Sequence, residues 1–376
     1  MKIERRIFVF LCGVLVSAGA AAQEAPRPSD VVAETYTPVE PLQRSAPTYP
    51  AAALDHNREG WVRVSFIISE EGKVIEPMIE ESSNNVFDES ALRAIEHWRY
   101  KPATVGGKPV EQSMVQTIIR YQLFETEGAS VEFVKKYRIA YSAILAKNLA
   151  KAGPLVEQLE KGPANYYEDA WLWWLKYVYL DAMGGAEPEA LITALSKALG
   201  SSPGKDDAYL QPDVFVSASQ RLYVLSVRAN DFSGALTAFE RLTGSNTAKR
   251  SKNYESVVAT LEPSHGEIMN AVAGPKVLQQ TARVDEHHYW VHRLLRRSFA
   301  FGDVQAGKLE VVDVRCTREN RRFVSLPEDA VLKIPDTWGD CRVYIKGDVG
   351  TVFSFEEYPD GYANAVDPAQ LAPNKE

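Results

Sequence analysis

The residues best suited to chemistry lie close together in the segment DEHHYWVH, which carries His287, His288 and His292. On a helix, His288 and His292 would share one face, and two imidazoles at this spacing can bind zinc. The general-base glutamate of that zinc motif and a third ligand are both missing from the segment. We therefore predict no metal site here, and instead a half-exposed helix that leads into a β-rich region.

Other features that would indicate an enzyme or a nucleic-acid-binding protein are weak. The segments GSSPG and VGGKP are interpreted as turns, because neither ends in the Lys-Ser/Thr pair of a phosphate-binding loop. The formal net charge of −8 argues against a nucleic-acid partner, since neutralising phosphates requires a basic face. The sequence thus predicts no catalytic residues, no cofactor, no metal and no nucleic acid.

The N-terminal segment MKIERRIFVFLCGVLVSAGAAAQEA has the order of a secretory signal peptide. Basic residues come first, a short apolar run follows, and small residues end at Ala22. The run is short for a membrane span, which needs roughly 20 apolar residues. We expect cleavage after Ala22 and a periplasmic protein. The alternative is an uncleaved segment that anchors the protein in the inner membrane, facing the periplasm, and only then is the membrane a partner.

Two cysteines remain after such cleavage, Cys316 and Cys341. Cys316 ends one predicted strand and Cys341 begins another. An oxidising compartment favours a disulfide between them. We therefore predict a bridge that pins two strands of a small sandwich or barrel.

The 376 residues are too many for one ordinary domain, and the composition changes several times along the chain. The predicted fold class is multidomain α+β, with a small α+β domain, an all-α array of helices and a disulfide-linked all-β domain. The predicted segments are a signal peptide (1–22), a Pro-rich linker (23–45), the α+β domain (46–124), the helical region (130–280), the β-rich domain (285–360) and a polar tail (361–376).

The helical region contains helix-length segments separated by Gly, Pro or Asn-Asp breaks. In RLYVLSVRANDFSGALTAFERL, the turn and the small and aromatic residues have the spacing of a tetratricopeptide (TPR) hairpin. No clean period recurs, so the array is described as TPR-like. Trp171, Trp173 and Trp174 are interpreted as filling the space between stacked helix pairs, with a ligand platform as the alternative.

Three stretches, PLQRSAPTYP (41–50), GWVRVSFIISEEGKV (60–74) and ALRAIEHWRYKPA (91–103), closely resemble the C-terminal domain of TonB-family proteins. The resemblance implies a domain of two helices and a three-stranded antiparallel sheet. It also implies that the W-R-Y segment packs the second helix onto the sheet and directs the chain into the last strand. The motif and structural residues are Tyr49, Pro50, Gly60, Gly72, Trp98, Arg99, Tyr100 and Pro102.

In that family the last strand is the edge of the sheet, and an extended peptide, the "TonB box" of an outer-membrane transporter, adds to it. Backbone groups at a sheet edge are unpaired and can accept such a strand. The binding residues implied for this sequence are Val115, Gln116, Thr117, Ile118, Ile119, Arg120, Tyr121, Gln122 and Leu123. Two alternatives stay open: the strand only completes the sheet, or it pairs with a second copy to form a homodimer.

The sequence departs from the energy transducer of this family in several ways. The TonB-like domain comes first rather than last, the spacer before it is short, and the apolar N-terminal stretch has no histidine. We therefore predict an interaction module whose partner is an outer-membrane transporter peptide or another envelope protein. A membrane-anchored energy transducer and a dimeric cell-envelope scaffold are the competing hypotheses.

Overall fold

The computed structural model describes residues 35–123, 128–162, 164–200, 208–324, 330–362 and 365–366. The predicted signal peptide lies outside the described residues, as do most of the predicted linker and tail. None of the helices in the described ranges is long and apolar enough to span a membrane.

The first region is a small α+β unit with a three-stranded antiparallel sheet in the order β4-β3-β8. A second sheet joins β1, β6 and β7, and a third joins β2 and β5. The elements are β1 (Tyr36–Thr37), β2 (Glu40–Gln43), α1 (Ala51–Asp55), β3 (Gly60–Ile68), β4 (Val74–Ser82), α2 (Asp88–Glu96), β5 (Arg99–Lys101), β6 (Ala103–Val105), β7 (Lys108–Val110) and β8 (Gln112–Tyr121).

Alternation along β3 builds the core of this unit. Val62, Val64, Phe66 and Ile68 are fully buried and share one cluster with the inner face of α2. Pro77 lies in β4, an edge strand with register shifts against β3, where a residue without a backbone N–H is tolerated.

Part of the predicted linker is structured. Residues 36–37 and 40–43 form β1 and β2, which pair with β6 and β5. The side chain of Gln112 accepts hydrogen bonds from the Tyr36 hydroxyl and the Val39 amide, both at 2.9 Å. These strands are too short to show a period in the sequence, and their pairing partners lie over 50 residues away.

The second region is helical. Its elements are α3 (Val131–Leu145), α4 (Leu149–Lys161), α5 (Tyr166–Met183), α6 (Pro188–Gly200), α7 (Pro212–Arg228), α8 (Phe232–Gly244), α9 (Asn246–Lys249) and α10 (Tyr254–Ala273). The N-cap side chains of Ser130, Asn148, Asn165 and Asp231 each accept a backbone N–H at a helix start.

Consecutive helices of this region pack on one another around two clusters of buried side chains. Trp171 is partly buried against both clusters and Trp174 is buried in one of them, as expected for residues that fill space between helix pairs. The TPR-like character of the array stays a prediction.

The third region contains two four-stranded antiparallel sheets, β10-β15-β12-β13 and β14-β11-β16-β9, whose facing side chains form one core. It is a sandwich. Its strands are β9 (Leu278–Arg283), β10 (Tyr289–Arg293), β11 (Ser298–Ala306), β12 (Leu309–Cys316), β13 (Asn320–Phe323), β14 (Leu332–Lys333), β15 (Cys341–Gly347) and β16 (Val352–Tyr358).

The predicted disulfide is present. Cys316 and Cys341 lie directly opposite each other at the ends of β12 and β15, and a bond joins them. Both cysteines are buried, so the bridge closes one end of the sandwich core.

The helix predicted for DEHHYWVH is wrong. Residues 289–293 form strand β10, and His288 has a positive φ in the turn before it. The pairing of β10 with β15 determines the local structure here, rather than the four-residue spacing of His288 and His292. The side chains of His287 and His292 consequently have different neighbours. His287 lies 3.1 Å from Asp88, and His292 lies 2.8 Å from Glu357. Within the described ranges no group of three or more His, Cys, Asp or Glu side chains is placed to hold a metal ion.

Candidate functional site

The entry into the first region is fixed by an aromatic cluster. The Tyr49 hydroxyl donates to the carbonyl oxygens of Arg58, at 2.7 Å, and Tyr121, at 3.3 Å. The Phe87 and Tyr121 rings stack with centroids 4.6 Å apart. Pro50 is the N-cap of α1 rather than its first helical residue. Tyr49 therefore connects the start of α1 to the end of β8.

Two of the motif glycines are explained by close contacts. A Cβ on Gly60 would lie 2.2 Å from the Phe87 ring, so any side chain there would displace the aromatic cluster. Gly72 has a φ of +76°, and a Cβ on it would lie 1.9 Å from the carbonyl oxygen of Tyr100. The hairpin between β3 and β4 can contact the W-R-Y segment only because Gly72 is there.

The W-R-Y segment packs against the sheet, and the chain then passes through β5, β6 and β7 before it enters β8. Trp98 and Tyr100 are buried and pack against Phe66 of β3. The Arg99 side chain donates to the carbonyl oxygens of Glu96 and Trp98, which satisfies acceptors at the end of α2.

The W-R-Y segment continues directly into the two small sheets. Arg99 begins β5, and Pro102 separates β5 from β6. The Arg44 guanidinium carbon lies 5.1 and 5.3 Å from the centroids of the Trp98 and Tyr100 rings. This contact connects the chain before α1 to the W-R-Y segment.

Strand β8 follows these short strands in the chain and forms one edge of the β4-β3-β8 sheet. Val64 lies opposite Thr117, and Phe66 lies opposite Val115, in a continuous antiparallel register. Ile119 and Tyr121 point into the core, while Gln116 and Arg120 are exposed.

The direction in which the backbone groups of β8 point can be deduced from a backbone contact on the other side of β3, where it faces β4. The carbonyl of Trp61 accepts the N–H of Ser83 at 2.9 Å, so Trp61 directs its backbone groups toward β4. Because successive residues of a strand point their N–H and C=O to opposite sides, the even-numbered residues of β3 direct theirs toward β8.

The same alternation identifies the open groups of β8. Val64 is even-numbered and lies opposite Thr117, so Thr117 bonds back to β3. The N–H and C=O of Gln116 and Ile118, its two neighbours, therefore point away from the sheet. Among the described residues β3 is the only strand that pairs with β8.

The start of the edge is capped by the protein itself. Val115 and Gln112 lie opposite Phe66 and Ile68, so β8 contains an extra residue there, and Met114 has a φ of +60°. The Asn320 side chain of the sandwich donates to Ser113 Oγ at 3.3 Å.

The last two predicted binding residues lie beyond β8, which ends at Tyr121. The N–H of Leu123 donates to Glu59 Oε1 at 2.8 Å, and Gln122 also has an interaction within the protein. The accessible stretch is thus narrower than the predicted nine residues and runs from Val115 to Tyr121.

The outer face of the β4-β3-β8 sheet, which faces away from α2, is covered by the rest of the chain, and this was not predicted from the sequence. Trp61 and Ile67, on the outer face of β3, are 1% and 2% exposed. A Cβ on Gly200 of α6 would lie 2.9 Å from the Trp61 ring. Continuous burial along β3 is typical of a strand covered on both sides, and the apolar residues at both alternations of WVRVSFII carried this information.

An interdomain polar cluster, defined by Glu76, Glu80, Arg315, Arg342 and Tyr344, joins β4 to the sandwich. Arg315 is 1% exposed, and its guanidinium contacts Glu76 Oε2 at 3.1 Å. Glu80 accepts from Arg342 at 3.1 Å and from the Tyr344 hydroxyl at 2.8 Å.

Glu80 also links this cluster to the candidate edge, because it accepts two hydrogen bonds from the Gln116 side chain, at 2.7 and 2.6 Å. Burial raises the pKa of Asp313, and the adjacent Arg315, 2.7 Å away, opposes the rise. The sequence contained no indication of this cluster, since Glu76 and Arg315 are 239 residues apart and no spacing rule connects them.

Comparison with known proteins assigns the first region to a family. The family described as "Gram-negative bacterial TonB protein C-terminal" matches residues 45–123. Protein TonB of Yersinia enterocolitica is 35% identical over 88 residues, which is 23% of this chain and 34% of that protein. Protein TonB of Pseudomonas aeruginosa is 34% identical over 73 residues, which is 19% of this chain and 21% of that protein. The chain thus spans about a third or less of these curated relatives.

Two solved structures are also similar in sequence to this part of the chain. The solution NMR structure of the Pseudomonas aeruginosa TonB C-terminal domain is 28% identical, with a TM-score of 0.21, and covers 24% of this chain and 90% of that one. The TonB2 protein of Vibrio anguillarum is 28% identical, with a TM-score of 0.19, and covers 28% of this chain and 100% of that one.

Proposed function

Residues 45–123 are a TonB C-terminal-type domain, and from this premise we propose that the protein is a periplasmic interaction module that binds an extended peptide along β8. The TonB family suggests a role in TonB-dependent envelope transport, so the peptide is the TonB box of an outer-membrane transporter or an equivalent segment of another envelope protein. The protein catalyses no reaction in this proposal.

The observation that carries the proposal is the open side of β8. The backbone groups of Gln116 and Ile118 point away from β3, and in the described part of the chain no second strand is hydrogen-bonded to β8. An added strand would form a ladder from Val115 to Tyr121, a length of about 23 Å at ~3.3 Å per residue. Main-chain hydrogen bonds supply the affinity in this binding mode, and side chains adjust the selectivity.

Selectivity would come from the outer face of β8. The Gln116 side chain is held by Glu80, which the sandwich fixes through Arg342 and Tyr344. Glu80 is thus already occupied by three donors. The proposed consequence is that the sandwich positions Gln116 beside the incoming peptide, without contacting the peptide itself.

A proline at Ile118 tests the proposal. The variant Ile118→Pro removes one outward N–H, whereas the matched variant Ile118→Ala shortens the same side chain and keeps the N–H. We expect Ile118→Pro to bind a synthetic TonB-box peptide at least tenfold more weakly than Ile118→Ala, measured by calorimetry, because a charge-neutral backbone hydrogen bond contributes about 1 kcal/mol and its loss breaks the ladder.

Two controls make the result specific. The same peptide, N-methylated at alternate residues so that it cannot donate, should bind neither variant. Ile119→Pro, whose N–H points toward β3, should lower the melting temperature instead. Equal affinities of Ile118→Pro and Ile118→Ala would show that β8 is not the binding strand.

The open edge is equally suited to pairing with a second copy of the chain, and this supports the scaffold as a second candidate. Sedimentation of the wild type and of Ile118→Pro without peptide distinguishes the two. A wild-type dimer that Ile118→Pro converts to a monomer would favour the scaffold.

The competing hypothesis of a membrane-anchored energy transducer depends on whether the N-terminal segment is cleaved. The proposal expects the mature chain to begin at Gln23, and N-terminal sequencing of the protein recovered from the periplasm checks this. A retained segment 1–22 would favour the transducer instead.

A further inference from the structure

A cavity of about 410 Å³ lies where the three regions of the protein meet. Its walls come from β3 and β4 of the TonB-type sheet, from α6 and α8, and from the segment between β9 and β10. Its size is within the range of small-molecule sites, roughly 300–1,000 Å³. No described residue of β8 lines the cavity, although Glu80, which holds the Gln116 side chain, also lies in its wall and is paired with Arg342.

The most unusual group in this cavity is the guanidinium of Arg241, on α8. Its Nη1 atom is shielded from solvent and has no hydrogen-bond partner. Burial and the neighbouring charge of Arg63 lower the pKa of Arg241, and Glu81 opposes this. A buried N–H donor without an acceptor is unfavourable, and a ligand could supply the missing acceptor.

Glu81 does not neutralise both arginines. It lies directly opposite Arg63 across β3 and β4, and its carboxylate is 3.8 Å from the Arg63 guanidinium, beyond hydrogen-bond distance. Two guanidinium groups thus share one carboxylate, and this part of the cavity keeps an excess of positive charge.

The other charged groups of the cavity already have partners. Lys197 pairs with Glu286 at 3.5 Å, and His287 pairs with Asp285 at 3.6 Å. The Arg283 side chain donates to the carbonyl of Gly350 at 3.4 Å. Arg63, Arg241 and Arg283 therefore line the cavity without a carboxylate at hydrogen-bond distance among the ion pairs of the described residues.

Part of the cavity wall is apolar. Ile192, Trp290 and Val291 line it, and each is only partly buried by the protein. An inorganic anion would leave this wall in contact with water, whereas an organic anion would cover it. A wall of this kind favours a ligand with a carbon skeleton.

We propose that the cavity binds a small organic carboxylate. The planar fork of Arg241 would hold the carboxylate through two parallel hydrogen bonds, with Arg63 as a second donor, and the carbon skeleton would rest on Trp290 and Ile192. Because the walls belong to three regions, a bound ligand would hold the TonB-type domain, the helices and the sandwich together.

Thermal unfolding of the mature full-length chain with phenylacetate as the probe tests this inference. We expect saturating phenylacetate to raise the melting temperature of the wild type by roughly 2–4 °C. Arg241→Met, which keeps the volume and removes the charge, should abolish the shift. Arg228→Met, at an exposed arginine on α7, should leave it unchanged.

Further readouts keep the test decisive. Without ligand, Arg241→Met should melt at a higher temperature than the wild type, because it removes a buried donor that has no acceptor. Arg241→Lys, which keeps the charge without the fork, should bind phenylacetate at least tenfold more weakly in calorimetry. The inference is overturned if phenylacetate gives no shift, if the shift persists in Arg241→Met, or if only inorganic phosphate stabilises the protein.

Discussion

His287 ties the sandwich to the first turn of α2. Its Nε2 atom lies 3.1 Å from Asp88 Oδ2, and its Nδ1 atom lies 3.6 Å from Asp285 Oδ2. Burial by itself would lower the pKa of His287, but the hydrogen bonds to Asp285 and Asp88 outweigh it and raise the pKa to about 9. The imidazole is therefore charged at neutral pH and forms two ion pairs, one of them between two regions of the chain.

This raised pKa predicts a pH dependence of stability. The folded pKa lies above the unfolded value of about 6.5, so the contribution is fully present below pH ~6.5 and is lost as the pH rises through about 9. Between pH ~6 and ~10, the wild type should lose roughly 2 kcal/mol more unfolding free energy than His287→Gln, measured in urea.

Asp88→Asn provides the control for the interdomain ion pair, because it leaves Asp285 in place. Its pH dependence should fall between those of the wild type and His287→Gln. Parallel pH profiles for all three proteins would show that His287 is not charged in the folded state.

At the scale of single elements, the disulfide joins β12 to β15 where both strands end. The β12–β13 turn follows Cys316 directly and presents Asn320 to Ser113 at the start of β8. The bridge therefore stabilises the sandwich core and also holds the turn that caps the candidate edge.

Removing the disulfide should be costly. For a loop of this size, with the cysteines 25 residues apart, the double variant Cys316→Ala/Cys341→Ala should lose roughly 3 kcal/mol of unfolding free energy. Urea unfolding of the mature chain measures this. A reductant should destabilise the wild type by a similar amount and leave the double variant unchanged, and equal midpoints for all samples would contradict the prediction.

Local patterns predicted the elements of the first region well. The alternation of WVRVSFII is a local signal for β3, and Pro77 is a local signal for an edge strand or a bulge, because both depend on residues close in sequence. The helix at DEHHYWVH was wrong, since histidine spacing alone does not distinguish a helix from a strand whose partner is β15.

Local sequence patterns did not predict the pairings between segments that are distant in the chain. Strands β1 and β2 exist only because β6 and β5 lie beside them, and the interdomain polar cluster joins residues more than 200 positions apart. The direction of the free backbone groups in β8 also required the observed contact between Trp61 and Ser83.

At the scale of the whole molecule, the TonB-type sheet is enclosed. Helices α1 and α2 cover its inner face, while the helical region and the sandwich cover its outer face. Arg58 adds a direct connection, because its guanidinium donates to the carbonyl oxygens of Glu160 and Gly162 at the end of α4. With both faces covered, a strand can be added only at an edge of this sheet, and β8 is one of its two edge strands.

Because the sheet is enclosed, we expect the stability of the TonB-type domain to depend on the rest of the chain. A fragment of residues 35–123 would expose Trp61 and Ile67, and leaving such a side chain exposed forfeits about 1.5–3 kcal/mol each. We expect the fragment to be several kcal/mol less stable than the same region in the full chain, measured by hydrogen exchange, and to self-associate in sedimentation.

The variant Trp61→Thr/Ile67→Thr separates the outer face from the strand edge as the cause of association. In the fragment it should restore a monomer, because it removes the apolar face and keeps β8 intact. In the full chain it should instead lower the unfolding free energy by roughly 3–5 kcal/mol, since both side chains are packed there. A wild-type fragment that stays monomeric and is as protected as in the full chain would show that the outer face needs no cover.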